Sequence, residues 1–124
     1  MNEKVIVTLT TYHKRITNIP IVLDTIFSQS VPPDHVVINL AFEEFIPKQI
    51  QHYLDEHSIE VFRVPDTKVY KKLIPTLKRY PEDCIISIDD DILYPVGMIE
   101  DFVSMHKKYP EFPISGNQEV YYGM

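Results

Sequence analysis

Short apolar runs alternate along the chain with segments whose apolar residues recur at helical spacing. Val5-Ile6-Val7-Thr8-Leu9 is β-branched and apolar, which predicts a buried strand. Ile19, Val22, Leu23, Ile26 and Phe27 fall on one face of a helix, with Asn18 as its expected N-cap and Pro20 in its first turn. Val31-Pro32-Pro33-Asp34 closes that helix, because proline cannot continue it. A second strand is expected over Val36-Val37-Ile38-Asn39-Leu40. A second helix, opened by Pro47, carries Ile46, Ile50, Tyr53, Leu54 and His57. Ile59 to Val64 alternates as a third strand, and Leu73, Leu77 and Tyr80 mark a third helix that Pro75 weakens. Cys84-Ile85-Ile86-Ser87-Ile88 reads as a fourth, central strand. Pro95, Ile99, Phe102, Val103 and His106 give a fourth helical face, and Ile114-Ser115 begins one more strand.

This order of strand and helix predicts an α/β domain: a mostly parallel sheet, Rossmann-like, covered by helices on both faces. Ligands of such open sheets sit beyond the carboxyl ends of the strands. The segments after Leu9, Leu40, Val64 and Ile88 are therefore where chemistry is expected. No internal repeat, low-complexity stretch or linker divides the chain, so residues 1–124 are read as a single domain.

A chain of 124 residues, 44% of them hydrophobic, can bury a real core. No apolar run approaches the roughly 20 residues that span a bilayer, and the first residues do not resemble a secretory signal. Cys84 is the only cysteine, which excludes a disulfide framework and a cysteine-rich metal site. The expected compartment is the reducing cytoplasm, with peripheral attachment to a membrane as its variant. A net charge of −6 makes nucleic acid a poor partner, since phosphates need basic patches. It does not disfavour a diphosphate bound through a divalent cation. His13, His35, His52, His57 and His106 show no metal-ligand spacing and are expected at the surface or half-buried.

Asp89, Asp90 and Asp91 directly follow the fourth strand. Two unit charges about 4 Å apart repel by ~1 kcal/mol in water and ~4 kcal/mol at an effective dielectric of 20. Exposure, a raised pKa or a bound cation relieves such a cluster. Carboxylates suit Mg²⁺ or Mn²⁺ shared with substrate phosphates. If strand alternation continues past Ile88, Asp89 and Asp91 face one way and Asp90 the other. In an arbitrary place an acidic triplet is a solvated loop; after a central strand, at the ligand edge of the sheet, a metal site is the better reading.

The segment Ile86-Ser87-Ile88-Asp89-Asp90-Asp91-Ile92-Leu93-Tyr94-Pro95 resembles the D-x-D region of GT-A glycosyltransferases, especially family-2-like bacterial enzymes. Val5 to Tyr12 looks like that family's first strand and its Thr/Ser-Tyr turn, and Ile26-Phe27-Ser28-Gln29-Ser30 like the end of its first helix. The resemblance implies the nucleotide-sugar-binding half of such an enzyme, with a nucleotide-diphosphate sugar as donor and Mn²⁺ or Mg²⁺ as cofactor. It makes Asp91 the principal metal ligand. Asp89 or Asp90 then contacts the ribose or supports the metal, so that Asp89 stands as a candidate for both roles. Thr10 and Tyr12 line the base pocket, and Asp66, Lys68, Lys71 and Lys72 face the nucleotide, where Lys72 offsets diphosphate charge. Lys14 and Arg15 have the same two readings as those lysines, solvated or phosphate-facing.

The chain departs from the family in two places. After the second strand it has Asn39-Leu40-Ala41-Phe42-Glu43-Glu44 where many members place an aspartate that reads a pyrimidine, and Glu43 is the candidate substitute. The second half, which in the family carries the acceptor site and catalytic base, is expected to be lacking. Glu119 lies in the right region for a base, whereas Glu100 and Asp101 read as surface charges. The carbohydrate or glycolipid acceptor is unspecified. The competing reading is a non-catalytic or truncated nucleotide-binding module, whose sheet edge near Ile114 invites an oligomer or partner chain. Phosphoryl transfer on aspartate fits less well, because those folds want acidic residues after the first strand.

Overall fold

The structure, a computed structural model, describes residues 4–64, 83–108, 114–115 and 119–122, the last two segments by their backbone. Its elements run β1 (Val5–Thr10), a 3₁₀ turn (Ile16–Asn18), α1 (Ile19–Phe27), β2 (His35–Ala41), α2 (Lys48–Glu56), β3 (Glu60–Val64), β4 (Cys84–Ser87), α3 (Met98–Lys108), β5 (Ile114–Ser115) and β6 (Glu119–Tyr122). They form one six-stranded sheet in the order β3-β2-β1-β4-β6-β5. The first four strands are parallel; β1, β2 and β4 have the near-continuous apolar composition of such strands, whereas β3, at the edge, alternates. β6 runs antiparallel to β4, and β5 antiparallel to β6. The β5 start was anticipated; β6 and its direction were not.

Register places Val7 beside Val36 and Ile86, so odd positions of β1 share a face with even positions of β2 and β4. That face holds the main core, including Leu9, Ile38 and Ile88, against Ile19, Leu23 and Ile26 of α1, Ile50 and Leu54 of α2, and Met98 and Ile99 of α3. Each such side chain contributes about 1.5–3 kcal/mol on burial. All three described helices thus cover one face. The opposite face carries the smaller cluster Ile6, Val37 and Ile85, with Phe62 packed against it. The helix expected around Leu73, Leu77 and Tyr80 lies outside the described residues.

Several boundaries differ from expectation for local reasons. Asn18 precedes α1 but makes no side-chain cap: its backbone is already helical (φ −86°, ψ −8°), because the 3₁₀ turn runs directly into the helix. α1 ends at Phe27, before the two prolines. α3 begins at Met98, three residues after Pro95, whose carbonyl accepts the Met98 N–H at 3.1 Å. α2 closes on Ser58 in the left-handed region (φ 54°), with Ile59 N–H returning to the Leu54 carbonyl at 3.0 Å. His106, expected at or near the surface, is buried on α3.

Candidate functional site

The carboxyl ends of β1 and β4 lie side by side, because Thr8 pairs with Ser87. The loop after β1 therefore meets the acidic triplet after β4. Tyr12 O accepts the N–H groups of Arg15 and Ile16, both at 2.9 Å, which turns the chain tightly. Ile16 plugs into the core and Thr11 is buried, so this turn is fixed at both ends.

Strand alternation does not persist into the triplet. β4 ends at Ser87, and the chain turns at Asp90-Asp91. Within the triplet, Asp90 and Asp91 are joined by one guanidinium. Arg15 Nη1 donates to Asp90 Oδ1 and to Asp91 Oδ2, each at 3.2 Å. Thr11 Oγ1 donates to Asp90 Oδ2 at 2.8 Å, so both oxygens of Asp90 are engaged. The Asp90 side chain is 8% exposed and that of Asp91 is 51% exposed, which separates an anchored carboxylate from an accessible one. The hydrogen bond and charge of Asp90, then Tyr12 and Asp91, raise the Arg15 pKa further above its ordinary value. The guanidinium also stands 5.7 Å from the centre of the Tyr12 ring.

The turn is braced from behind. Asp89 N–H donates to the hydroxyl of buried Tyr94 at 2.8 Å, and Tyr94 N–H donates to Thr25 Oγ1 at 3.2 Å. Gln29 Nε2 donates to the carbonyls of Thr25 (3.0 Å) and Pro95 (2.7 Å), while its Oε1 accepts Ile99 N–H at 3.0 Å. Gln29 thereby satisfies an otherwise orphaned donor in the first turn of α3. Ser30 adds a 2.6 Å bond to Glu100. The Ile26-to-Ser30 segment thus links the end of α1 to the start of α3, around the acidic turn.

Among the other expected residues, Thr10 is half-buried and spends its hydroxyl proton on Asn39 O at 2.8 Å. Tyr12 is half-buried, edge-on to His13. Asn39 is fully buried, with Nδ2 donating to Thr8 Oγ1 at 3.0 Å, and so forms part of the sheet interior. Glu43 is exposed in the turn after β2, and Arg63 holds that turn through the carbonyls of Ala41 and Glu44. Lys14 is exposed. Asp66, Lys68, Lys71 and Lys72 lie outside the described residues, and of Glu119 only the backbone, opposite Ser87 in register, is described. Thr11 and Tyr94 escaped sequence reasoning. Thr11 is signalled only by its place between two expected ligand contacts, and Tyr94 by an aromatic inside a polar loop.

Among the described residues, no group of three or more His, Cys, Asp or Glu is arranged to hold a metal. A Mg²⁺ or Mn²⁺ ion shared with phosphates needs fewer, since it keeps several waters and takes one or two carboxylates. Asp91 fits that role chemically: its oxygens are hard donors, it stands at the rim, and only its Oδ2 is engaged among the described residues. Asp90 fits poorly, both oxygens being taken. Beside the pair opens a cleft of about 160 Å³ lined by Asn18, Ile21, Val22, Asp90, Asp91 and Leu93. No described helix is long and apolar enough to cross a membrane.

No protein-family model matches the chain, and no curated protein sequence matches it. Its fold is shared with solved structures. 4-Diphosphocytidyl-2C-methyl-D-erythritol synthase superposes with a TM-score of 0.71 at 9% identity, over 99% of this chain and 74% of the other. CMP:2-keto-3-deoxy-manno-octonic acid synthetase, complexed with CTP, gives 0.67 at 11% identity over 90% of this chain and 50% of the other. A mannosyltransferase from Pyrobaculum calidifontis, in complex with GDP-Man and Mn²⁺, gives 0.61 at 22% identity over 94% of this chain. The chain spans only 34% of that enzyme's length. At these identities the likeness establishes a common α/β fold.

Proposed function

We propose that this chain is the nucleotide-sugar-binding half of a GT-A-type glycosyltransferase, holding a nucleotide diphosphate at the edge where β1 and β4 end. The observation that carries this reading is the convergence of Thr11, Arg15, Asp90 and the accessible Asp91 beside an open cleft. The neighbouring structures with CTP and with GDP-Man and Mn²⁺ support a nucleotide ligand on this fold.

In this reading Asp91 is the principal ligand of a divalent ion, with Asp89 in support. When bound, that ion offsets the charge that builds on a leaving diphosphate. Asp90, anchored by Thr11, orients Arg15. Tyr12 offers a flat ring beside the guanidinium, suited to stacking on a base. Thr10 retains its oxygen lone pairs as acceptors for a base edge. Asp66 and Lys72 are assigned to the nucleotide by the family resemblance alone. Sugar transfer to an acceptor belongs to the whole protein and is the outermost part of the proposal, as are a cytoplasmic setting and any partner chain.

Calorimetric titration of UDP, GDP, CDP and CTP, with and without Mn²⁺, tests the reading on the protein and on Asp91→Ala. The expected result is Mn²⁺-dependent binding of one diphosphate, lost in Asp91→Ala. Binding that ignores both the metal and the substitution would reject the metal site. Absence of binding by any of the four nucleotides would reject nucleotide recognition.

A further inference from the structure

The acidic turn already faces a cation. Arg15 Nη1 divides its hydrogen bonds between a carboxylate that is anchored and one that is not. Asp90 is buried and also held by Thr11, whereas the side chains of Asp91 and Arg15 are both about half exposed, at 51% and 44%. A half-exposed ion pair is weak and exchanges readily with solvent ions. We propose that Arg15 is an internal competitor for the divalent ion: it holds Asp91 when the protein is empty and must yield that carboxylate for the ion to bind. This rests on the metal reading given above.

The geometry gives both halves of the exchange. Asp90 keeps the guanidinium at the turn after its bond to Asp91 breaks, and the Tyr12 ring offers a second favourable neighbour 5.7 Å away. A divalent ion taken up by Asp91 then stands near a retained positive charge. Repulsion between the two weakens binding of the ion alone. A diphosphate relieves it, because its negative charge faces both cations. Arg15 therefore couples the ligands, so that the ion binds well only together with the nucleotide.

The test uses Mn²⁺ as the probe, titrated without nucleotide and followed by its electron paramagnetic resonance signal. Arg15→Gln is expected to bind Mn²⁺ at least tenfold more tightly than the unaltered protein. Asp91→Asn is expected to abolish that binding in either background. Adding the preferred nucleoside diphosphate is expected to tighten Mn²⁺ less in Arg15→Gln than in the unaltered protein. A merely structural role for Arg15 predicts weaker binding in Arg15→Gln, so the direction discriminates. Should that variant be too unstable, Arg15→Gln combined with Asp90→Asn, read against Asp90→Asn alone, makes the same comparison. Equal or weaker Mn²⁺ binding after loss of Arg15 overturns the inference, and so does no binding at all. Neither result decides the metal reading, which stands or falls on the Mn²⁺ dependence of nucleotide affinity.

Discussion

The Tyr94 hydroxyl oxygen sits 2.8 Å from the backbone nitrogen of Asp89 and accepts a hydrogen bond from its N–H. A buried aromatic five residues downstream thus fixes where the acidic turn begins. Removing that acceptor leaves a partly buried N–H without this partner, which costs about 1–3 kcal/mol. Tyr94→Phe is therefore expected to lose about 1–2 kcal/mol in chemical denaturation and to speed hydrogen exchange at the Asp89 amide. Unchanged exchange at that amide would show that the turn holds itself.

Gln29 makes three hydrogen bonds that join α1, the Pro95 loop and α3. Gln29→Ala removes the partner of a buried N–H and of two part-buried carbonyls, and a loss of about 3 kcal/mol is expected. Gln29→Glu keeps an acceptor for Ile99 N–H but, when ionised, has no proton for Thr25 or Pro95. It should be no better than alanine at neutral pH and should recover part of the loss in acid, where the carboxyl regains a donor. Urea melts at two pH values decide this; equal losses at both would refute the donor argument.

Asp90 and Asp91 are neighbours in sequence with opposite surroundings, one side chain buried and the other half-exposed. Asp90→Ala takes the buried acceptor from Thr11 and the anchoring partner from Arg15, and is expected to cost about 1–3 kcal/mol. Asp91→Ala removes a half-exposed charge and is expected to cost under about 1 kcal/mol. Thermal melts of the two variants check the contrast. Comparable destabilisation would mean that Asp91 is structural, and would weaken its assignment as the accessible ligand.

Burial, and then a 2.8 Å hydrogen bond donated to Asp24, push the Tyr53 pKa upward. A raised pKa means that the folded state keeps the proton longer than the unfolded chain, whose tyrosines ionise near pH 10. The associated stability is fully present below about pH 10 and is lost progressively above it. The melting temperature is expected to fall more steeply above about pH 10 in the unaltered protein than in Tyr53→Phe. Parallel alkaline profiles would contradict this.

Much of the fold was legible because the parallel strands β1, β2 and β4 are buried and their sequences are correspondingly apolar. Val5 to Leu9, Val36 to Leu40 and Cys84 to Ile88 could be recognised from composition alone, and the acidic triplet could be placed at the carboxyl edge of the sheet. Helix ends were less legible. Asn18 has a capping residue's identity without its backbone, and Pro95 precedes α3 rather than opening it. β6 went unread because a four-residue antiparallel strand is defined by its partner β4 as much as by its own residues.

The sequence by itself determined the strand–helix alternation and delivered three carboxylates to the end of a central strand, because burial demands apolar runs and those runs fix where the chain emerges. Only the tertiary structure decided which partners Asp90 and Asp91 meet and how exposed each is. The turn at Asp90-Asp91 breaks the two-residue period that sequence reasoning relied on, and Thr11 and Arg15 arrive from a strand end more than 70 residues away. Contacts between such distant residues are set by strand register, which no local pattern specifies.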